Sequence, residues 1–119
     1  MHPAIPWSQE LDLARPFEVR WVVLKPEPSL GDSEAQARVD FAPGASFPAH
    51  KHPGEEIIYV IQGKIEYQVE SKPITVKAGE VLFVPNGASH SARNIGDGPA
   101  AELATYVIEK GKPLTEFVK

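Results

Sequence analysis

Prolines and glycines cut this chain into short pieces. Twelve prolines and nine glycines are spread along 119 residues rather than clustered. That spread argues for many short elements separated by turns, and against a low-complexity tail. Between the turns, apolar residues recur at every second position. Phe17, Val19, Trp21 and Val23 oppose Glu18, Arg20, Val22 and Leu24; Ala35, Ala37, Val39 and Phe41 oppose Gln36, Arg38 and Asp40; Ile65, Tyr67 and Val69 oppose Glu66, Gln68 and Glu70. Alternate residues of a strand share a face, so each segment reads as a strand with one side on a core. Residues 47–52, 74–76, 81–84, 89–94 and 101–108 read as further short strands. Residues 56–62 are apolar on both faces after Glu56 and predict a central strand covered on both sides.

Turns are expected at 42–44, 53–54, 71–73, 78–80 and 85–87, with a tight hairpin at 63–64 and loops at 25–31 and 95–99. Residues 1–16, holding Pro3, Pro6 and Pro16, read as an arm with at most one helical turn around 9–14. The segment after 108 reads as a tail with Gly111 and Pro113. Roughly eight to ten strands at spacings of about 8–12 residues, with no helical period, indicate an all-β sandwich or barrel. The division is an arm at 1–16 and one β domain at 17–119.

Composition narrows the partners. An apolar fraction of 42 % is enough for one core. There is no cysteine, which excludes disulfides, thiolate metal sites and a thiol nucleophile. A net charge of -4 offers no basic excess for nucleic acid or an anionic membrane. No apolar run approaches the roughly 20 residues that span a bilayer. The first residues have neither a basic n-region nor an apolar h-region, so the expectation is an unexported, cytoplasmic protein.

Two stretches carry the chemistry. The first runs from Gly44 to Gly63 and contains His50-Lys-His52-Pro-Gly-Glu55-Glu56. Positions 50 and 52 share a strand face, so two imidazoles can aim at one point. A turn at Pro53-Gly54 returns the chain with Glu56 aimed at the same point. Imidazole plus carboxylate suits divalent first-row transition metals. The second stretch runs from Gly79 to Asn94 and supplies His90 on a strand that follows the turn Pro85-Asn86-Gly87. Three of the four histidines lie in these two stretches; the fourth, His2, is in the arm and reads as a surface residue.

The two stretches resemble the signature motifs of the cupin superfamily. Gly44, His50, His52, Glu56 and Gly63 fit G-x(5)-H-x-H-x(3)-E-x(6)-G, and Gly79, Pro85, Gly87, His90 and Asn94 fit G-x(5)-P-x-G-x(2)-H-x(3)-N. Either half alone is expected in fewer than roughly one random chain in 10,000. The segments His52 to Tyr59 and Ala104 to Leu114 also resemble small single-domain bacterial cupins of the quercetin-dioxygenase-like kind. The resemblance implies a single-domain jelly-roll β-barrel. It also implies one divalent transition-metal ion (Fe, Mn, Ni, Cu, Zn or Co) held by His50, His52, Glu56 and His90. Gly63, Gly79 and Gly87 would be turn residues with positive φ, Pro85 would shape the bend before His90, and the chain would form a homodimer.

Other residues have plainer readings. Tyr67 is the candidate catalytic residue, and core or pocket lining is the alternative. Trp21, Phe41, Phe47, Phe83 and Tyr106 read as core or subunit interface, Arg93 and Glu55 as solvated side chains. The inner wall is expected to come from Phe41, Ile58, Val60, Tyr67 and Val81, with Tyr67 the one titratable group there besides the ligands. Ile57, Tyr59 and Ile61 form an apolar outer face suited to pairing.

Three functions follow from such a site. One is a metal-dependent dioxygenase-type enzyme of the quercetinase or diketone-cleaving kind, acting on a small enolisable or phenolic oxygen ligand. The second is a non-redox metal-dependent isomerase, lyase or decarboxylase on a small sugar acid or keto acid, which polar groups lining the pocket would favour. The third is a small-molecule binding or sensing module without turnover. Four protein ligands leave two positions on an octahedral ion, and a divalent ion beside one glutamate carries a net charge of about +1, which favours anionic ligands.

Overall fold

The computed structural model describes residues 17–27, 32–109 and 115–118. Their elements are ten strands: β1 (Phe17–Glu27), β2 (Asp32–Phe41), β3 (Ser46–Lys51), β4 (Gly54–Gln62), β5 (Lys64–Val69), β6 (Lys72–Lys77), β7 (Val81–Val84), β8 (His90–Asn94), β9 (Ala100–Glu109) and β10 (Glu116–Phe117). They form two five-stranded sheets, in the orders β1-β2-β9-β4-β7 and β10-β3-β8-β5-β6. Every pairing is antiparallel. This is an all-β jelly roll of the cupin kind. Among the described residues its two sheets stay separate, so hydrogen bonds do not close it into a barrel. No helix among the described residues is long and apolar enough to cross a membrane.

Alternation explains the layers. On β2 the residues Ala35, Ala37, Val39 and Phe41 are buried, and on β5 so are Ile65 and Tyr67. These inward faces, one from each sheet, merge into one core with Ile58, Val60 and Val84.

Several expectations need correction. Residues 63–64 are not a hairpin. β4 ends at Gln62 in one sheet and β5 begins at Lys64 in the other, so the chain changes sheets at Gly63. Gly63 has φ 82°, and a Cβ there would lie 2.8 Å from Pro99 O, so only glycine permits this crossing. Gly79 and Gly87 also have positive φ, 91° and 78°. The hairpin turn predicted at 71–73 sits one residue earlier, at Glu70 and Ser71, both with positive φ, between β5 and β6. β1 continues through Lys25, Pro26 and Glu27, part of the expected loop.

β4 is not covered on both faces. Ile57, Tyr59 and Ile61 remain 43 %, 44 % and 37 % exposed. Val81 points outward, 59 % exposed, and Leu82 and Val84 take the inner side of β7 instead. Phe83 is likewise outside the core, while Phe41 and Phe47 are in it. A short strand, β10, lies in what reads from sequence as tail. The arm at 1–16, with His2, and the side chain of Trp21 lie outside what the structure describes.

Candidate metal centre

Three strands build the site. His50 is on β3, His52 follows it directly, Glu56 is on β4 in the opposite sheet, and His90 opens β8. His50 and His90 are register partners across β3 and β8. Between Phe47 and His50 the register shifts. Pro48 lies in that interval and has no N–H to give to the ladder, which is where strands bulge. The bulge changes the phase: Phe47 and His50, three positions apart, both face inward. On β4 the alternation is regular, so Gly54, Glu56, Ile58 and Val60 all point in.

All four side chains are buried, and one donor atom from each lies within 4.8 Å of the others. Glu56 Oε1 is 2.9 Å from His90 Nε2 and 3.2 Å from His52 Nε2. The outer ring nitrogens are fixed. His50 Nδ1 lies 2.8 Å from Pro48 O and His90 Nδ1 lies 3.0 Å from Ala88 O. A carbonyl only accepts, so each Nδ1 carries a proton; in the neutral ring Nε2 presents its lone pair to the centre, and in the protonated ring His90 Nε2 donates to Glu56. His52 Nδ1 faces the Thr115 hydroxyl at 3.4 Å.

The electrostatics follow. Burial, reinforced by the imidazoles of His90 and His52, pushes His50 down to about 3, so it is neutral near pH 7. Burial would raise Glu56, but hydrogen bonds from His52 and His90 outweigh it and hold the carboxyl well below its usual range. Burial likewise lowers His90, and the bond with Glu56 more than offsets it, so the net shift is upward. Neutral imidazole lone pairs held against a carboxylate repel it unless a cation or a proton lies between them. Three inward imidazole nitrogens and one carboxylate are therefore a donor set that fits a divalent transition metal.

A cavity opens beside this cluster, with Val39, Phe41, Phe47 and Ile58 among its walls. Tyr67 lies in the wall, as predicted, but is not the one titratable group there. Glu102 and Tyr106 on β9 also enter. The Tyr67 hydroxyl donates to Glu102 Oε1 at 2.6 Å. Burial, then the charge of Glu56, raises Glu102 to about 8. Burial and the neighbouring carboxylates raise both tyrosines well above 10. The Tyr106 ring packs edge-on to His52 at 4.8 Å, so it is core and site wall at once. The signal for Glu102 lay in the alternation itself: Ala100, Glu102, Ala104, Tyr106 and Ile108 share one face, and one member is charged. Arg93 is exposed against Glu66, and Glu55 is exposed.

Comparison with known proteins agrees with this geometry. The family described as Cupin domain matches residues 37–107, more than half of the chain. Among curated proteins, Germin-like protein 1-1 of Oryza sativa subsp. japonica is 41 % identical over 78 residues, covering 60 % of this chain and 36 % of that protein. The Oxalate-binding protein of Thermotoga maritima is 38 % identical over 73 residues, covering 60 % of each. This chain thus spans about a third of the first relative's length and 60 % of the second's. Among solved structures, an oxalate oxidase in complex with the substrate analogue glycolate superposes with a TM-score of 0.70 at 28 % identity, covering 87 % of this chain and 55 % of that one. With a family match spanning both histidine motifs and a jelly roll that places them face to face, the chain belongs to the cupin domain family.

Proposed function

We propose that this chain is a metal-dependent cupin of the oxygenase or oxidase type, acting on a small oxygen-donor anion. His50, His52, Glu56 and His90 are the ligands of one divalent transition-metal ion. The observation that carries the reading is the fixing of the outer ring nitrogens of His50 and His90 by Pro48 O and Ala88 O, at 2.8 and 3.0 Å, which commits their inner nitrogens to one point. A bound ion would supply a Lewis acid and, if redox-active, a route for electrons to dioxygen.

The chain's own residues do the rest. Glu56 sets the charge of the centre, and the apolar wall limits water. The space open to the centre of a water molecule is about 20 Å³, which suits a ligand of few heavy atoms and disfavours a multi-ring phenol. Similarity to the oxalate oxidase and the Oxalate-binding protein supports a small, oxygen-rich ligand. The apolar outer face of Ile57, Tyr59 and Phe83 supports pairing with a second copy of the chain.

A specific observation favours the non-redox reading as second. Glu102 and Tyr67 are polar groups in the wall, placed to handle a proton in an isomerase, lyase or decarboxylase.

Elemental analysis followed by oxygen-electrode assays with small hydroxy and keto acids tests the proposal. We expect about one first-row ion per chain, and oxygen uptake that falls by more than about 100-fold in His52→Ala together with metal content. Turnover without oxygen on a redox-inert ion would select the second reading. Tight ligand binding without any turnover would leave a binding module. A purified chain holding no metal would sink all three.

A further inference from the structure

Glu102 sits in the middle of β9 and enters the cavity beside Glu56 and His90. Its neighbours on the inner face of its own sheet are Ala100 and Ala104 along the strand, and Val39 and Val60 on the strands either side, all buried and apolar. None of those side chains can hydrogen-bond a carboxyl. Tyr67 reaches it from the opposite sheet and donates to Oε1 at 2.6 Å. That is the one hydrogen bond of its side chain among the described residues. Its second oxygen is not sealed in the packing but reaches the cavity.

A carboxyl has sites for several hydrogen bonds, and buried polar groups normally have those sites filled. A leucine at position 102 would suit the same neighbours and make no such demand. The cavity leaves about 20 Å³ to the centre of a water molecule, room for little more than one water. A small ligand that reaches the histidine–glutamate cluster therefore fills that space and meets the second oxygen of Glu102. A ligand with no hydrogen bond to offer there leaves a buried polar group unpaired, which costs about tenfold or more in affinity.

We propose that Glu102, held by Tyr67, hydrogen-bonds a hydroxyl of the ligand and makes the cavity selective for small hydroxy acids over acids of similar size that lack the hydroxyl. A hydroxyl both donates and accepts, so it pairs with the carboxyl in either protonation state. The inference rests on the metal-centre reading above and adds a recognised group to it.

The test is calorimetric titration of the metal-reconstituted full chain with glycolate and with acetate, in the wild type, Glu102→Leu, Glu102→Gln and Tyr67→Phe, with metal content measured before and after. Contact of the glycolate hydroxyl with the ion is common to all these proteins, so a change in the glycolate-to-acetate affinity ratio reads position 102. In Glu102→Leu the ratio falls about tenfold. In Glu102→Gln, which keeps the hydrogen bond without the charge, it stays within about threefold of wild type. In Tyr67→Phe it falls about threefold, because the carboxyl loses the partner that orients it. Metal content is unchanged throughout. A ratio within about twofold of wild type in both Glu102→Leu and Tyr67→Phe, with metal retained, overturns the inference and leaves the metal-centre reading standing; the pair is then only a link between the sheets. A fall in Glu102→Gln as large as in Glu102→Leu overturns it too, because charge rather than the hydroxyl contact would then set the preference. A wild-type chain that holds no ion overturns both readings. Should Glu102→Leu fail to fold, the ratio in Tyr67→Phe decides alone.

Discussion

At the scale of single residues, the carboxyl at position 102 has a consequence for folding as well as for binding. Its pKa is raised to about 8 in the fold from an ordinary 4.5, so the folded chain binds that proton more tightly than the unfolded one. The stability it confers is therefore fully present below about 4.5 and is lost as pH rises to about 8. His90, also raised, acts with the same sign, so the comparison must isolate Glu102. In chelator-treated protein, melting temperature should fall between those pH values in the wild type and fall less in Glu102→Gln. Parallel curves would refute the shift. Gly54 sits at the opposite extreme of chemical plainness. A Cβ there would lie 2.0 Å from Val107 O, so β4 could not approach β9 as it does. Gly54→Ala should cost about 3 kcal/mol in a denaturant titration, because backbone rather than a flexible side chain must move. Asn94 closes its motif for a reason no spacing rule displays. Its amide nitrogen donates towards Phe41 O, Ala42 O and Gly98 O, and its Oδ1 accepts from Gly96 N, tying two loops together.

At the scale of elements, β3 is the strand on which the centre depends, and two features hold it. One is the bulge around Pro48 that turns His50 inward. The other is β10, which pairs Glu116 with Lys51 and Phe117 with His50. Val118 N donates to Ala49 O at 3.0 Å, and Thr115 faces His52 Nδ1. Residues 115–118 thus brace β3, which carries His50, and His52 just past its end. Deleting residues 115–119 should weaken metal binding about tenfold in a chelator competition, a typical effect of losing an outer partner of a ligand. Unchanged affinity would reduce β10 to a passive edge. β10 is also the element least legible beforehand: two residues long, it has no alternation to detect. The hairpin expected at 63–64 failed for a related reason. A glycine between two strands looks the same whether the chain folds back in its own sheet or crosses to the other.

At the scale of the whole molecule, the outer face of the β4–β7 pair is apolar. Ile57 is the register partner of Phe83, and Tyr59 of Val81, and all four side chains are exposed. If that face is a subunit interface, a lysine in its middle should break it. Phe83→Lys should sediment as monomer where the wild type sediments as dimer, with metal content unaltered; a wild type that is monomeric would exclude the pairing. Most of the strand pairing in this molecule is between elements distant in sequence, as β2 with β9 and β3 with β8. That topology separates what could be read in advance from what could not. The amino-acid sequence on its own determined the all-β class, most strand positions and the donor set. Those depend on local things: a period of two, the turn chemistry of glycine and proline, and ligand types at short spacings. Only the tertiary structure decided which sheet each strand joins, which face of β7 is inward, and that Tyr67 meets Glu102 from 35 residues away beside the histidine–glutamate cluster. Such contacts depend on how the two sheets pack, and no local pattern encodes that.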